Sequence, residues 1–467
     1  MAHSTAPLSS NPLVRPIQKF IRAEAAGGIL LLVSAVVALI WANSALSASY
    51  FALWETMVTV GFGSLVIDKP LLLWVNDGLM AIFFFLIGLE IKREVLAGEL
   101  SSPKKAAMAL AGAVGGMVVP ACFYVALNWG GDGINGWAIP MATDIAFALG
   151  VLALMGKKAP LALKIFLTAL AIVDDLGAVL VIAFFYTAKL SWTALAVGGG
   201  FLLLLIAANR LGVRRTSVYV ILGIGLWVAF LKSGVHATIA GVLLALTIPF
   251  SRKTDARSFL DSMTDLVGLF KKEQKNGQAE PTDAQMDVLH SMEVQTRKLD
   301  APLLRMEHAL HGWIAFFIMP VFAMANAGVA LGGGLGSAFG EPVTLGIIAG
   351  LFLGKQIGVF SFAWLAVKAG WAALPTGVSW KQVYGVSLLT GIGFTMSLFI
   401  AGLAFDTAAM LDSAKIGILS ASLLSGLAGW AVLSWAYKPS ESSSTPAGPG
   451  TPVATPVTPA APVATPA

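Results

Sequence analysis

Apolar runs of bilayer-crossing length recur along the whole chain, and they constrain its fold more than any other feature. A spanning helix needs about 20 mostly apolar residues. Twelve such runs lie near residues 24–44, 71–96, 105–129, 135–156, 161–187, 191–209, 215–231, 234–250, 309–333, 343–369, 379–405 and 413–437. Composition agrees. With 57% hydrophobic and 12% charged residues, the chain has too little charge to cover a soluble surface. The expected class is an all-α polytopic membrane protein of about twelve transmembrane helices, with the lipid bilayer as its solvent. The run from Gly27 lacks a small-residue cleavage site and is too long for a cleaved signal peptide. Cys122 is the only cysteine, which excludes an intrachain disulfide and multi-cysteine zinc sites.

Twelve spans put both termini on one side, and the basic residues test that arrangement. Of 30 Lys and Arg residues, 25 fall in segments on the side of the termini. Only Lys69, Lys189, Lys232 and Lys415 fall on the opposite side, and Lys355 lies within a span. The bias places both termini in the cytoplasm. The net charge of +5 is spread over many loops and reads as this retention signal rather than as a nucleic-acid surface. Residues 1–12 are expected to be a mobile terminus, and residues 13–438 the membrane domain. Residues 251–305 form a long charged cytoplasmic connection. In it Phe259, Leu260, Met263, Leu266, Val267 and Phe270 recur at the spacing of a short amphipathic helix. Residues 439–467, rich in Pro, Ala and Thr, are expected to be disordered.

A charge at the bilayer centre costs about 2.5–3.5 kcal/mol on insertion scales. Five occupy mid-span positions: Asp77, Asp144, Asp174, Asp175 and Lys355. Four acids and one base cannot all pair, so the set calls for a mobile cation, a proton, or both; a static ion pair would balance. Asp174 and Asp175 are adjacent, and neighbours on a helix point about 100° apart. One can face a cavity while the other faces a neighbouring helix. Two carboxylates this close do not both ionise easily in a low dielectric, so the pair is suited to exchanging a proton for a metal ion. Lys355 is about twelve residues from either span end, too far to snorkel. It needs an acid partner to stay charged, with Asp174 and Asp144 as the candidates.

Two spans are interrupted. Pro140 lies four residues before Asp144, where Thr143 and freed carbonyls add oxygen ligands suited to a hard cation such as sodium. A simple proline kink capped by Asp144 is the plainer alternative. In the eleventh span Thr390, Gly391, Gly393, Thr395 and Ser397 break the apolar run. A matched pair of broken helices marks inverted-repeat transporters, here with helices 3–5 and 10–12 as the repeats and helices 4 and 11 crossing. Asp144 would then compensate the positive half-helix ends and Lys355 the negative ones.

Six segments carry a family resemblance. They are the run from Asn76 to Glu94, Ala142-Thr143-Asp144-Ile145-Ala146-Phe147-Ala148-Leu149-Gly150, and Asp174-Asp175-Leu176-Gly177. The others are Lys232-Ser233-Gly234-Val235-His236-Ala237-Thr238, Gly354-Lys355-Gln356-Ile357-Gly358 and Thr390-Gly391-Ile392-Gly393-Phe394-Thr395-Met396-Ser397. In order and over roughly residues 13–437, the chain resembles the NhaA-type sodium/proton antiporters, an established example of the inverted-repeat class. The resemblance implies electrogenic exchange of sodium, and normally lithium, for protons in the bacterial inner membrane, with no cofactor. It implies that Asp175 is the main cation-binding aspartate, that Asp174 pairs with Lys355, and that Asp144 and Thr143 complete the site. It places Asp77 in the cytoplasmic funnel. It assigns pH response to Glu90, Arg93, Glu94, Glu307, His308 and His311, and to His236. It also implies a homodimer through a small hairpin, for which residues 45–70, with Gly61 and Gly63, have a suitable length. The long 251–305 connection and the tail depart from the family pattern.

Other classes fit less well. A sodium channel would use the same charges without proton coupling. An intramembrane aspartyl protease also uses two membrane aspartates, and Ala373-Leu374-Pro375 loosely resembles one of its motifs. However, Gly391-Ile392-Gly393 is followed by Phe394 rather than by an aspartate. The chain is therefore expected to be a transporter and not an enzyme. His308 and His311 lack a third ligand at zinc spacing, and His236 alone also fits a hydrogen-bonded structural histidine.

Overall fold

The computed structural model describes residues 14–63, 65–156, 159–187, 190–250, 256–272, 282–299, 301–330 and 338–437. The terminal segments 1–12 and 439–467, and parts of the 251–305 connection, lie outside them. The described residues are almost entirely helical. The exception is an antiparallel hairpin of β1 (Met57–Phe62) and β2 (Leu65–Pro70), paired from Met57↔Pro70 to Phe62↔Leu65. Gly63 turns it with φ of 61°, a left-handed conformation that suits glycine. The all-α expectation is thus corrected by one sheet, placed within the 45–70 segment singled out as a hairpin.

In chain order the helices begin with α1 (Val14–Ala42), α2 (Ser47–Glu55), α3 (Leu71–Ala97) and α4 (Pro103–Asn128). A 3₁₀ segment (Asp132–Met141) leads to α5 (Ile145–Leu154). Then come α6 (Leu161–Phe185), α7 (Trp192–Arg210), α8 (Thr216–Leu231) and α9 (Thr238–Thr247). Within the long connection α10 (Ala256–Lys272), which carries the expected amphipathic pattern, packs on a second helix, α11 (Asp283–Leu299). The series closes with α12 (Pro302–Asn326), α13 (Pro342–Lys368), α14 (Trp380–Leu389), α15 (Phe394–Ala404) and α16 (Ala408–Ala436).

Among the described residues seven helices are long and apolar enough to cross a membrane, or up to ten if each of three bent pairs is one span. Two of those pairs are the interrupted fourth and eleventh runs, bent by 44° and 43°. α8 and α9 are shorter apolar helices. At about 1.5 Å per residue, the ten residues of α9 cover only half of a ~30 Å hydrocarbon core. Large apolar side chains such as Phe184 (77% exposed), Leu203 (68%) and Ile221 (68%) point outward, as a lipid-facing surface requires.

The helices approach closely through small residues. A Cβ added to Gly115 of α4 would lie 2.2 Å from the Gly358 carbonyl oxygen of α13, and one on Gly358 would lie 2.1 Å from that of Gly115. Gly354 meets Pro120 in the same way. In lipid there is little hydrophobic drive between helices, so close backbone packing of this kind holds them together. It also fixes the height and rotation of Lys355, which follows Gly354.

Among the described residues, basic side chains make contacts at two ends of the helices. At the hairpin end Lys69 reaches Asp77, Lys232 donates to the Val66 carbonyl (3.1 Å) and Lys415 to the Gly328 carbonyl (3.0 Å). At the other, basic end Lys92 donates to the carbonyls of Leu246 and Ile248 that end α9, and Arg305 reaches Thr216.

Candidate functional site

The two interrupted spans meet at their breaks. Residues 142–144 are non-helical after Pro140, and residues 390–393 separate α14 from α15. Four helix ends converge there, each carrying backbone groups with no partner in their own helix. Asp144 serves both N-termini. Its Oδ1 accepts from Phe147 N of α5 (2.9 Å), and its Oδ2 accepts from the backbone N (3.0 Å) and hydroxyl (2.5 Å) of Thr395 in α15. A carboxylate between two positive dipole ends is held by both.

The C-terminal ends are met reciprocally. Thr143 Oγ1 lies 2.9 Å from the Thr390 carbonyl oxygen of α14, and Asp144 N donates to the Ile392 oxygen at 2.7 Å. In return Ser397 of α15 donates to the Ile139 carbonyl in the 3₁₀ segment (2.8 Å). The hydroxyl of Ser422 in α16 accepts from Phe394 N (3.2 Å). Lys355 bonds Asp174 Oδ2, at 2.5 Å, with both side chains fully buried. Thr143 Oγ1 is also 2.7 Å from that oxygen. Having one proton, this hydroxyl serves Asp174 or Thr390 at any moment, not both.

Asp174 and Asp175 diverge as their helical offset requires. Asp174 faces Lys355 and Thr143, whereas Asp175 lines a cavity of about 80 Å³, room for several waters. Its wall is built from single helix faces: Phe83, Leu86, Ile87, Glu90 and Arg93 of α3; Thr168 and Asp175 of α6; and His311, Ile314, Ala315 and Met319 of α12. Gly27 and Leu31 of α1, Asp144 to Ala146, and Thr395 with Met396 complete it. Asp175 Oδ1 is buried without a hydrogen-bond partner among the described residues, and so is Asp174 Oδ1. One space therefore joins two buried carboxylates, Asp144 and Asp175, to the charged groups at the basic end.

That charged group is organised by Arg93. Its guanidinium donates to Glu307 Oε1 (2.7 Å) and Glu94 Oε1 (2.9 Å), while Glu94 Oε2 caps Glu99 N (2.8 Å). Glu90, Arg93 and His311 line the cavity. His308 bonds the Leu304 carbonyl from an exposed position.

Asp77 stands apart from this cluster and contacts Lys69 and His236 instead. It lies at the hairpin end of α3, on the side where the basic residues are few. Lys69 bonds it at 2.6 Å and His236 Nε2 is 3.6 Å away, with Trp227 donating to its backbone oxygen. Lys69 thereby neutralises one of the four acids counted as unbalanced. The excess is confined to Asp144, Asp174 and Asp175 against Lys355. His236 is held by Thr238 Oγ1 (2.7 Å) and belongs with Asp77 rather than with Glu307.

Sequence reasoning took Thr395 and Ser397 only as interruptions of the eleventh span and missed Ser422; the three hydroxyls carry the crossing. Thr168 and Met396 line the cavity without any local signal. π-helical turns interrupt α3 at Val75–Leu79, α12 at Ile314–Ile318 and α13 at Ala349–Gly354. They hold Asp77, follow His311 and precede Lys355, and such turns often mark functional positions.

Comparison with known proteins follows the same residues. The model of the family described as Na+/H+ antiporter 1 matches residues 18–433. A relative from Oleidesulfovibrio alaskensis described as Na(+)/H(+) antiporter NhaA is 52% identical over 431 residues, 92% of this chain and 95% of that protein. Relatives of the same description from Rhodospirillum rubrum and Koribacter versatilis are 50% and 49% identical, over 90% and 95% of this chain and 97% and 96% of their own lengths.

Proposed function

Because the chain belongs to the Na+/H+ antiporter 1 family and performs sodium/proton antiport across a membrane, we propose that Asp175 is the carboxylate on which the two ions compete. The supporting observation is that Asp175 alone of the adjacent pair faces the cavity, with a buried oxygen that has no hydrogen-bond partner among the described residues. Sodium, and lithium as a second small hard cation, would take oxygen ligands from Asp175 and Asp144. The triad of Thr143, Asp174 and Lys355 lies beside the cavity and is the charge partner that changes when the cation arrives. Protons on these carboxylates displace the cation, and the cation displaces the protons.

Antiport follows when the empty, charged site changes sides slowly. Moving more protons than sodium ions makes the cycle electrogenic, and each net charge couples to voltage by about 2.3 kcal/mol per 100 mV. The membrane potential then drives sodium export even with a small pH gradient. Alternating access would pivot on the crossed breaks, whose bonds at Thr143, Asp144, Thr395 and Ser397 can all be exchanged.

The finer architecture belongs to the same reading. Counting α8 and α9 as short spans gives twelve helices, with helices 3–5 and 10–12 as inverted repeats around the two breaks. The basic end is cytoplasmic and the hairpin end periplasmic, in the bacterial inner membrane, with both termini in the cytoplasm. The Arg93 cluster, including Glu90, Glu94, Glu307, His308 and His311, sets the pH response at the mouth of the cavity. His236 contributes from the other side. The hairpin offers an edge for a homodimer.

Proteoliposomes with an acid interior and an internal pH dye test the central claim. Added sodium is expected to alkalinise vesicles carrying the natural protein. Asp175→Asn should abolish the signal while eluting as folded protein. Exchange persisting in Asp175→Asn would overturn the assignment, and voltage-driven sodium flux without proton movement would indicate a channel.

A further inference from the structure

The cavity that reaches Asp175 from the basic end is closed toward the hairpin end by aromatic rings. Phe399 of α15 is at the centre of the closure. Its ring lies 5.5 Å from that of Phe84 in α3, 6.3 Å from Phe322 in α12 and 5.2 Å from His236. Phe84, Phe322 and Phe399 are all buried. The closure has a polar site on each side. Phe83, which touches Phe84 at 5.4 Å, lines the Asp175 cavity. On the far side His236 faces Asp77, and Asp77 holds Lys69, whose side chain is 29% exposed to solvent.

This aromatic contact, drawn from four separate segments, lies between two polar sites. Phe399 also stands four residues after Thr395, so both lie on one face of α15, a turn apart. Thr395 binds Asp144 through two bonds, and α15 is joined to α14 only through the non-helical break. A change at Asp144 therefore acts on the N-terminus of the helix that carries Phe399.

We propose that Phe399 is the plug separating the Asp175 cavity from the Lys69–Asp77–His236 site, and that α15 withdraws it when an incoming cation takes Asp144 from Thr395. With the ring in place the passage is too apolar to hold a hydrated ion, the principle of a hydrophobic gate. With the ring withdrawn, His236 and Asp77 form the first polar surface that the departing cation meets. The proposal rests on the alternating-access reading above and adds the residue that closes one side.

Cysteine accessibility tests it in the full chain with Cys122→Ser, since Cys122 is the only cysteine. One reporter is Ile87→Cys, in the cavity wall. A second, in a separate protein, is Val60→Cys on the hairpin, where Val60 is 54% exposed. A cationic, membrane-impermeant thiol reagent is applied to sealed vesicles on the face where Val60→Cys reacts, so the result does not depend on which face is cytoplasmic. Phe399→Ala should speed labelling of Ile87→Cys from that face about tenfold or more, and Phe399→Leu by less. Labelling from the basic face should change little and reports an intact cavity. If Phe399→Ala shows no basic-face labelling, it has not folded, and Phe399→Leu decides by the same comparison. An unchanged hairpin-face rate with basic-face labelling intact would overturn the plug. That failure leaves the Asp175→Asn exchange test untouched.

Discussion

Lys355 is the single base among the membrane aspartates, and its partner is a matter of free energy. A fully buried ammonium is tolerable only beside a carboxylate. Either Asp144 or Asp174 was chemically eligible. The structure selects Asp174, whereas both Asp144 oxygens face two helix N-termini. Breaking a buried pair by removing one partner costs about 3–5 kcal/mol, whereas removing both is much cheaper. Lys355→Met is therefore expected to lower thermal stability in detergent more than Lys355→Met combined with Asp174→Asn, as read from unfolding midpoints. Equal midpoints would mean that Asp174 accepts a proton when unpaired and that the pair contributes little to the fold. The pairing itself was half legible in the sequence: the need for an acid was visible, and the choice of acid was not.

At the scale of the element, glycine positions and broken spans determine where those side chains stand. α4 and α13 touch through Gly115 and Gly358, each with a backbone oxygen of the other where a Cβ would be. Overpacking a core usually costs about 1–3 kcal/mol because side chains can give way, but a carbonyl in a packed helix cannot. Gly358→Leu should therefore prevent recovery of folded protein by size-exclusion chromatography. Gly200→Leu on α7, where nothing lies within 4 Å of the added carbon, should be recovered normally. Equal recovery would show that α4 and α13 can separate without loss. The breaks were readable from Pro140 and from the Gly391–Gly393 pair. What was unreadable is that each break supplies the hydroxyl that satisfies the other, Thr143 for Thr390 and Ser397 for Ile139. The π-helical turns were equally hidden, because a slipped backbone hydrogen bond leaves no periodicity in the side chains.

For the whole molecule the proposed mechanism is competition at a shared site. If protons and sodium exclude one another on Asp175 and Asp144, the apparent sodium affinity must fall as pH falls. The limit is about tenfold per pH unit for each competing proton. Sodium titrations of proteoliposome exchange at neutral and alkaline pH should show that trend, and an affinity independent of pH would contradict competition. The sequence alone determined the membrane class and pointed to ion exchange on buried carboxylates. Bilayer physics makes apolar run length, basic loops and membrane charges legible without any fold, since each has a cost that local sequence reveals. The family resemblance added which aspartate to weigh most. The tertiary structure decided which charges meet. It paired Lys69 with Asp77 at the hairpin end, turned Asp175 rather than Asp174 to the cavity, and placed Phe399 between two polar sites. Those outcomes depend on distances between residues far apart in the chain, set by helix rotation and close packing, and no local pattern encodes them.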